Sequence, residues 1–220
     1  MIQGEADPVG DDRIKSRLFV EVEAGPAAAD RLAAAFGAAD IASVLIRPPQ
    51  GGALDAQTAQ PLVALAQGKG AAALIADNWE LARVLRADGV HLSAGDDPEG
   101  RIEAAREILG GRSIVGADPG RSRHDAMTLA ELGADYMAFS PEGEGGAEER
   151  DELAVWWAEI FEIPCVALGV GSVEEAVALQ AAQCEFIGLV LPSAAPPDAS
   201  RALVAEVARA LADAHAQADA

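Results

Sequence analysis

Two aspartates in this 220-residue chain could together hold a divalent cation. Asp77 follows the apolar run 73–76, and Asp96 comes shortly after the apolar run 89–92. Each run is typical of a short buried strand, and the segment 79–86 between them has a helical pattern. The two strands should therefore be parallel, with both carboxylates at one edge of the sheet. Carboxylate oxygens are ligands for Mg²⁺ or Ca²⁺, although helix N-caps or turn residues would show the same pattern.

Two further features could bind an anion. Arg47 directly precedes Pro48-Pro49, so its backbone should be extended and stiff, which suits an anion-binding arginine; a solvated arginine is the alternative. The segment Gly169-Val170-Gly171 leads into a helix whose N-cap is Ser172, with Glu175 completing a capping box. Glycine backbones and a helix N-terminus can hold phosphate, but an ordinary strand-to-helix turn has the same sequence.

The segment from Asp118 to His124 combines an acid, bases and an imidazole. His124 could act as a general acid or base, but a residue in the first turn of a helix is more often exposed to solvent. His91 lies inside a predicted strand and is expected to be a core histidine.

The elements that must position these residues are eight strands, each followed by a helix, at a spacing of roughly 22 to 28 residues. Strict alternation predicts a parallel sheet, and eight repeats predict an α/β fold of the TIM (β/α)₈ barrel class in a single domain. An open doubly wound sheet is the rival, weakened because no Gly-x-Gly-x-x-Gly follows the first strand. The barrel is expected over 17–215, with a flexible leader at 1–16, a frayed end at 216–220 and an acidic loop at 140–151.

Composition excludes several classes of partner. The formal net charge is −20 and the chain has only two lysines, so binding to nucleic acid or to an anionic membrane is not expected. No apolar run approaches the roughly 18 residues that cross a membrane. Cys165 and Cys184 lack metal-ligand spacing and are expected to be buried free thiols of a cytoplasmic protein. A homo-oligomer is left open, because the alanine-rich helices could pack on the barrel or on a neighbour.

Three sequence blocks resemble the thiamine-phosphate synthase family, whose sister group is the thiazole tautomerases. They are residues 87–92 (ADGVHL), 133–136 (GADY) and 163–169 (IPCVALG), and the resemblance spans about Leu18 to Leu191. It implies a barrel that joins hydroxymethylpyrimidine diphosphate to thiazole phosphate and releases diphosphate, with Mg²⁺ assisting the departure. These small phosphorylated substrates would be its partners.

The resemblance also implies roles for individual residues. The metal ligands would be Asp77 and Asp96. The substrate and phosphate groups would be held by Arg47, Asn78, Asp118, Gly169, Val170 and Gly171, and the catalytic set would be Arg47, Ser122 and Arg121.

Several positions depart from the family pattern. Asn78 stands in place of an arginine, and Ala94 in place of a glutamine. The family's Ser-Thr-His has become 118–120 (DPG), which leaves Ser122 as a displaced partner and removes the tautomerase histidine. The family's lysine loop after strand 6 has become the acidic segment 140–146, where Arg121 or Arg123 would have to supply the charge.

Such losses bear on the activity. One lost charge-assisted contact costs about 2–4 kcal/mol in the transition state. A non-catalytic relative that binds a phosphorylated thiazole or pyrimidine, or a partner protein, is therefore the alternative to a working synthase.

Overall fold

The computed structural model describes residues 14–142 and 145–218, and its eight parallel strands close into one barrel in sequence order. This confirms the predicted (β/α)₈ fold. Residues 1–13 of the expected leader, residues 143–144 of the acidic loop and residues 219–220 lie outside the described part of the chain. The elements are β1 (Arg17–Glu23), α1 (Ala28–Phe36), β2 (Ile41–Arg47), α2 (Ala56–Gly68), β3 (Ala72–Ala76), α3 (Trp79–Leu85), β4 (Gly89–Leu92), α4 (Pro98–Leu109), β5 (Ile114–Ala117), α5 (Arg123–Glu131), β6 (Tyr136–Phe139), α6 (Gly146–Ile160), β7 (Cys165–Ala167), α7 (Val173–Ala181), β8 (Phe186–Val190) and α8 (Pro197–Ala218).

Side chains alternate along each strand between two apolar layers, as the twofold period of a strand requires. One layer fills the barrel interior, where Phe19, Leu45, Leu74, Tyr136 and Val166 pack together. The other layer lies between the strands and the surrounding helices and forms the larger core. Apolar side chains therefore fill much of the barrel interior, and charged side chains such as Glu21 and Arg47 lie near the carboxyl ends of the strands.

His91 is a core residue, as expected. It lies 2% exposed in the barrel, and its Nδ1 is 2.9 Å from the hydroxyl of Tyr136, whose ring stacks on the imidazole. Gly116 leaves room for that tyrosine, because a Cβ at this position would overlap the ring. Burial lowers the pKa of His91 to about 4, so the imidazole is neutral near pH 7.

Carboxylates just before three strands tie neighbouring strands together at the amino ends. Asp88 accepts a hydrogen bond from the backbone N–H of Ala73 at 2.8 Å. Asp135 does the same for Val115 at 2.7 Å, and Glu185 for Cys165 at 2.9 Å. In each contact, one backbone N–H group near the start of a strand donates to a carboxylate. A hydrogen bond to a carboxylate is stronger than one to a neutral acceptor. Asp88 and Asp135 belong to the sequence blocks that carry the family resemblance, so those blocks hold the barrel together.

Two element boundaries differ from the sequence prediction. The acidic loop was expected to reach Asp151, but α6 already begins at Gly146. Residues 147–150 are good helix formers with acidic side chains in the first turn, and Arg150 is buried against the barrel. The barrel was expected to end at residue 215, but the last helix runs from Pro197 to Ala218, with proline at its first position.

The structure bears on two predictions from composition: the state of the cysteines and the absence of a membrane-spanning helix. Cys165 and Cys184 are free and buried, with their sulfur atoms 3.2 Å apart, as predicted for the thiols. Within residues 14–142 and 145–218, no helix combines the length and the apolar character needed to span a membrane.

We expect Asp135→Asn to lower the free energy of unfolding by about 1–3 kcal/mol, because Val115 and Arg106 both donate to this carboxylate. Chemical denaturation at pH 7.5 measures the change. Asp213→Asn, an exposed position on α8, removes the same charge and should change stability by less than about 0.5 kcal/mol. Equal stabilities of the two variants would contradict the role assigned to Asp135.

Candidate active site at the carboxyl ends of the strands

Arg47 lies at the end of β2 and is held by a carboxylate inside the barrel. Its Nη1 is 2.7 Å from Oε2 of Glu21, a β1 side chain that is only 1% exposed. Its Nη2 is 3.7 Å from Oε1 of Glu142, which follows β6. An ionised carboxylate buried in the barrel needs a cation partner, and Arg47 provides it. Glu21 was not identified from the sequence, although its place on the same side of β1 as Phe19 indicates a carboxylate inside the barrel.

Asp77 directly follows β3, the strand that pairs with β2. Its carboxylate accepts three hydrogen bonds from groups of the same chain. Oδ1 accepts hydrogen bonds from the backbone N–H of Ser93 at 2.7 Å and from Nη2 of Arg101 at 2.5 Å. Oδ2 accepts from the Ser93 hydroxyl at 2.8 Å. The backbone at Asp77 has φ of 54°, a left-handed conformation that aspartate tolerates. Arg101, in the first turns of α4, was not identified from the sequence.

Asp96 is exposed in the turn before α4, whereas the helix N-cap is its neighbour Asp97. Within the described ranges, no group of three or more His, Cys, Asp or Glu side chains could hold a metal. Two carboxylates with water and ligand oxygens would suffice for Mg²⁺, which keeps several waters when protein-bound. The donor types of Asp77 and Asp96 therefore fit a hard cation, and the side chain of Asp77 is 43% exposed. The positive charge of Arg101 on the same carboxylate weakens such a site.

Two backbone N–H groups of the turn after β7 donate hydrogen bonds to acceptors of the same chain. The N–H of Val170 donates to the carbonyl of Gly188 at 2.8 Å. The N–H of Gly171 donates to Oε2 of Glu175 at 2.6 Å. Ser172 caps α7 by accepting from the Glu175 N–H, as predicted, while the Glu175 carboxylate bonds Gly171 instead of Ser172. A carboxylate thus occupies a donor that the sequence assigned to a ligand phosphate.

Arg150 of α6 contacts the residues on either side of the turn after β7. Its side chain is fully buried and donates to the carbonyl of Leu168 at 2.8 Å. It also forms ion pairs with Asp151 and Glu175. The buried guanidinium therefore holds Glu175 next to the turn after β7. Arg150 lay in the segment expected to be a loop, so its burial could not be predicted.

Asp118 follows β5 and is 4% exposed at the mouth of the barrel. Its Oδ1 accepts from the N–H of Gly120 at 2.8 Å, and its side chain is also hydrogen-bonded to that of Ser140. Burial raises the pKa of Asp118 to about 6, with Glu142 and Glu21 adding to the rise. The carboxyl group is therefore partly protonated near neutral pH.

The other predicted site residues have local partners. Asn78 caps α3 and accepts from the N–H of Leu81, and Ser122 caps α5. Arg121 pairs with Glu149 at 2.8 Å. The Arg123 guanidinium lies 4.7 Å from the centre of the Trp156 ring, and His124 is exposed as expected. Arg121 lines a small cavity together with Ser140 and Glu142 of the segment after β6, whereas Arg123 lies against α6.

A common pattern links these contacts at the carboxyl ends, which we call the rim. Four rim arginines each contact at least one carboxylate of the chain: Arg47, Arg101, Arg121 and Arg150. A ligand phosphate would compete with these carboxylates for the same cations. At these four arginines an anion can therefore bind only where it displaces or shares an internal partner.

We expect the stability difference between the wild type and Asp118→Asn to depend on pH. The pKa of Asp118 is about 6 in the folded chain and 3.8 in the unfolded chain, so the folded state binds this proton more tightly. The resulting contribution to the free energy of unfolding is fully present below pH 3.8 and is lost as pH rises through 6. The wild type should therefore lose about 1–2 kcal/mol relative to the variant between pH 5 and pH 8. Denaturant titrations at both pH values measure this; Asp213→Asn is the control, and a constant difference would refute the raised pKa.

Comparison with known proteins places the chain in a family. The sequence profile described as Thiamine monophosphate synthase matches residues 23–192. A thiamine-phosphate synthase of Hyphomonas neptunium is 38% identical over 164 residues, covering 70% of this chain and 73% of that protein. One of Rhodospirillum centenum is 36% identical over 170 residues, covering 73% and 79%. One of Erythrobacter litoralis is 42% identical over 121 residues, covering 52% of this chain and 55% of that protein.

The structural comparison agrees in fold. A thiamine phosphate pyrophosphorylase of Pyrococcus furiosus superposes with a TM-score of 0.70 at 22% identity, covering 92% of this chain and 98% of that one. At this identity the likeness shows the barrel and not the chemistry. With the profile match and the two longer alignments, however, the chain belongs to the thiamine monophosphate synthase family.

Proposed function

We propose that this chain is a transferase that joins hydroxymethylpyrimidine diphosphate to thiazole phosphate and releases diphosphate. Family membership over residues 23–192 supports the reaction class. The observation that carries the proposal is the placement of Arg47 and Asp77 at the ends of neighbouring strands β2 and β3. A cation and a carboxylate at the ends of neighbouring strands suit a diphosphate and its metal ion.

Arg47 would bind a phosphate group of the diphosphate substrate. Glu21 fixes the guanidinium through one nitrogen, Nη1, and Nη2 faces the exposed Glu142 at 3.7 Å. A ligand phosphate can replace Glu142 on that second nitrogen without breaking the buried pair. Preorganised positive charge of this kind stabilises negative charge that develops on a leaving group.

The metal ion would be Mg²⁺, held by Asp77 and Asp96. When bound, it would neutralise the diphosphate and assist its departure. The Ser93 hydroxyl and N–H orient Asp77, while Arg101 competes with the ion for the same carboxylate. We therefore propose a weaker metal site than two unpaired aspartates would form.

The turn after β7 would hold the phosphate of the thiazole substrate. Of its three N–H groups, those of Val170 and Gly171 have partners within the chain. A phosphate at Gly171 must displace Glu175, which Arg150 holds in place. Asp118, whose pKa is raised, would form a hydrogen bond with a heterocyclic substrate and give a proton to it or take one from it.

A second candidate is a family member that binds a phosphorylated thiazole or pyrimidine without catalysing the reaction, or that binds a partner protein. The pairing of four rim arginines with carboxylates favours it, because these four cations are less available to the departing diphosphate. The two candidates share the ligand class and differ in turnover. For either one we propose a cytoplasmic location, which the free thiols support.

The decisive test is incubation of the full chain with both substrates and Mg²⁺. We expect thiamine phosphate to form, and we expect Asp77→Ala to lower the rate at least about 100-fold through loss of the metal site. Asp213→Asn is the matched control and should keep the wild-type rate. Absence of product at high protein concentration, with Mg²⁺-dependent binding of the diphosphate substrate retained, would support the binding-only candidate.

We also expect Glu175→Ala to bind inorganic phosphate about tenfold more tightly than the wild type, a gain of about 1.4 kcal/mol. The variant frees the Gly171 N–H and one side of the Arg150 guanidinium. Calorimetric titration measures the affinity. Glu174→Ala, an exposed neighbour on α7, should behave as the wild type, and an unchanged affinity in a folded Glu175→Ala would show that the carboxylate does not block phosphate.

A further inference from the structure

A group of three cations lies on the opposite face of the barrel from the rim. A cavity of about 600 Å³ opens there, between the start of β1, the start of β2, the turn before β3 and helix α8. Its polar lining includes Lys15, Arg17 and Lys69. Its apolar lining includes Leu18, Ile41 and Leu211.

The charge of this lining is unusual for the chain. The protein has a formal net charge of −20 and only two lysines, and both lysines line the same cavity. Asp40 is the one carboxylate among the lining residues, against three cations. The cavity therefore carries a local excess of positive charge on a strongly acidic protein.

The three cations also differ from the rim arginines in having no carboxylate partner. Within residues 14–142 and 145–218, no ion pair involves Lys15, Arg17 or Lys69. All three side chains are exposed, and the Arg17 guanidinium lies 5.7 Å from the centre of the Phe186 ring. Among the described lining residues Asp40 is the one carboxylate, so within the described part of the chain a ligand anion meets less internal competition here than at the four rim arginines.

We propose that this cavity is a second binding site, which takes a small phosphorylated molecule. Lys15, Lys69 and Arg17 would contact the phosphate groups, because ammonium and guanidinium groups are the usual protein partners of phosphate. The apolar floor would contact the body of the ligand. A volume of about 600 Å³ is in the range of small-molecule pockets.

The site is independent of the transferase reaction. It lies at the amino ends of the strands, whereas TIM-barrel chemistry takes place at the carboxyl ends. Its residues include no carboxylate pair, and its binding needs no metal ion. Occupancy would stabilise the folded chain by mass action.

Calorimetric titration of the full chain with inorganic diphosphate, in buffer containing EDTA, tests the proposal. EDTA removes the metal ion that the proposed site of Asp77 and Asp96 would need. We expect binding by the wild type and at least tenfold weaker binding by Lys15→Gln/Lys69→Gln. Because both lysines are exposed, the double variant should fold, which circular dichroism checks.

The matched control is Arg83→Gln/Arg112→Gln, which removes two positive charges from exposed positions outside the cavity. It should keep the wild-type affinity for diphosphate. An equal loss in both double variants would mean that overall charge, and not the cavity, governs binding. No binding by the wild type at millimolar diphosphate, or full binding by the lysine variant, would also overturn the proposal.

Discussion

The arrangement of the rim depends on the pairing of arginines with carboxylates of the same chain. Glu21 is buried inside the barrel, and an unpaired carboxylate there would be costly, so Arg47 must stay beside it. Arg150 is likewise buried and requires Asp151 and Glu175. These constraints fix where positive charge stands at the rim and how much of it a ligand can use.

Two aspartates of the recognisable sequence blocks lie at the opposite end of the barrel from the residues that would perform the chemistry. Asp88 and Asp135, in the recognisable sequence blocks, bind backbone N–H groups at the amino ends of the strands. The altered positions lie at the carboxyl ends, where Glu175 and Glu142 face the groups that would hold phosphate. The contacts that hold the strands together therefore do not determine how strongly the carboxyl ends bind phosphate.

The sequence predicted the barrel and the placement of Arg47, Asp77 and Asp118 at strand ends, because strand and helix periodicities are local properties of the chain. It did not predict that Arg101 contacts Asp77, or that Glu175 contacts Gly171 and Arg150. Such pairs depend on side-chain directions after the elements have packed. The start of α6 was missed because glycines and acidic residues at 143–149 have the composition of a loop.

The central claim is that internal carboxylates hold the rim cations against ligand phosphates. The most direct test compares the affinity for thiazole phosphate of the wild type and of Glu142→Gln/Glu175→Ala, measured by calorimetry with the fold checked by circular dichroism. The account predicts that the double variant binds more than tenfold more tightly. Equal or weaker binding by the folded double variant would contradict it.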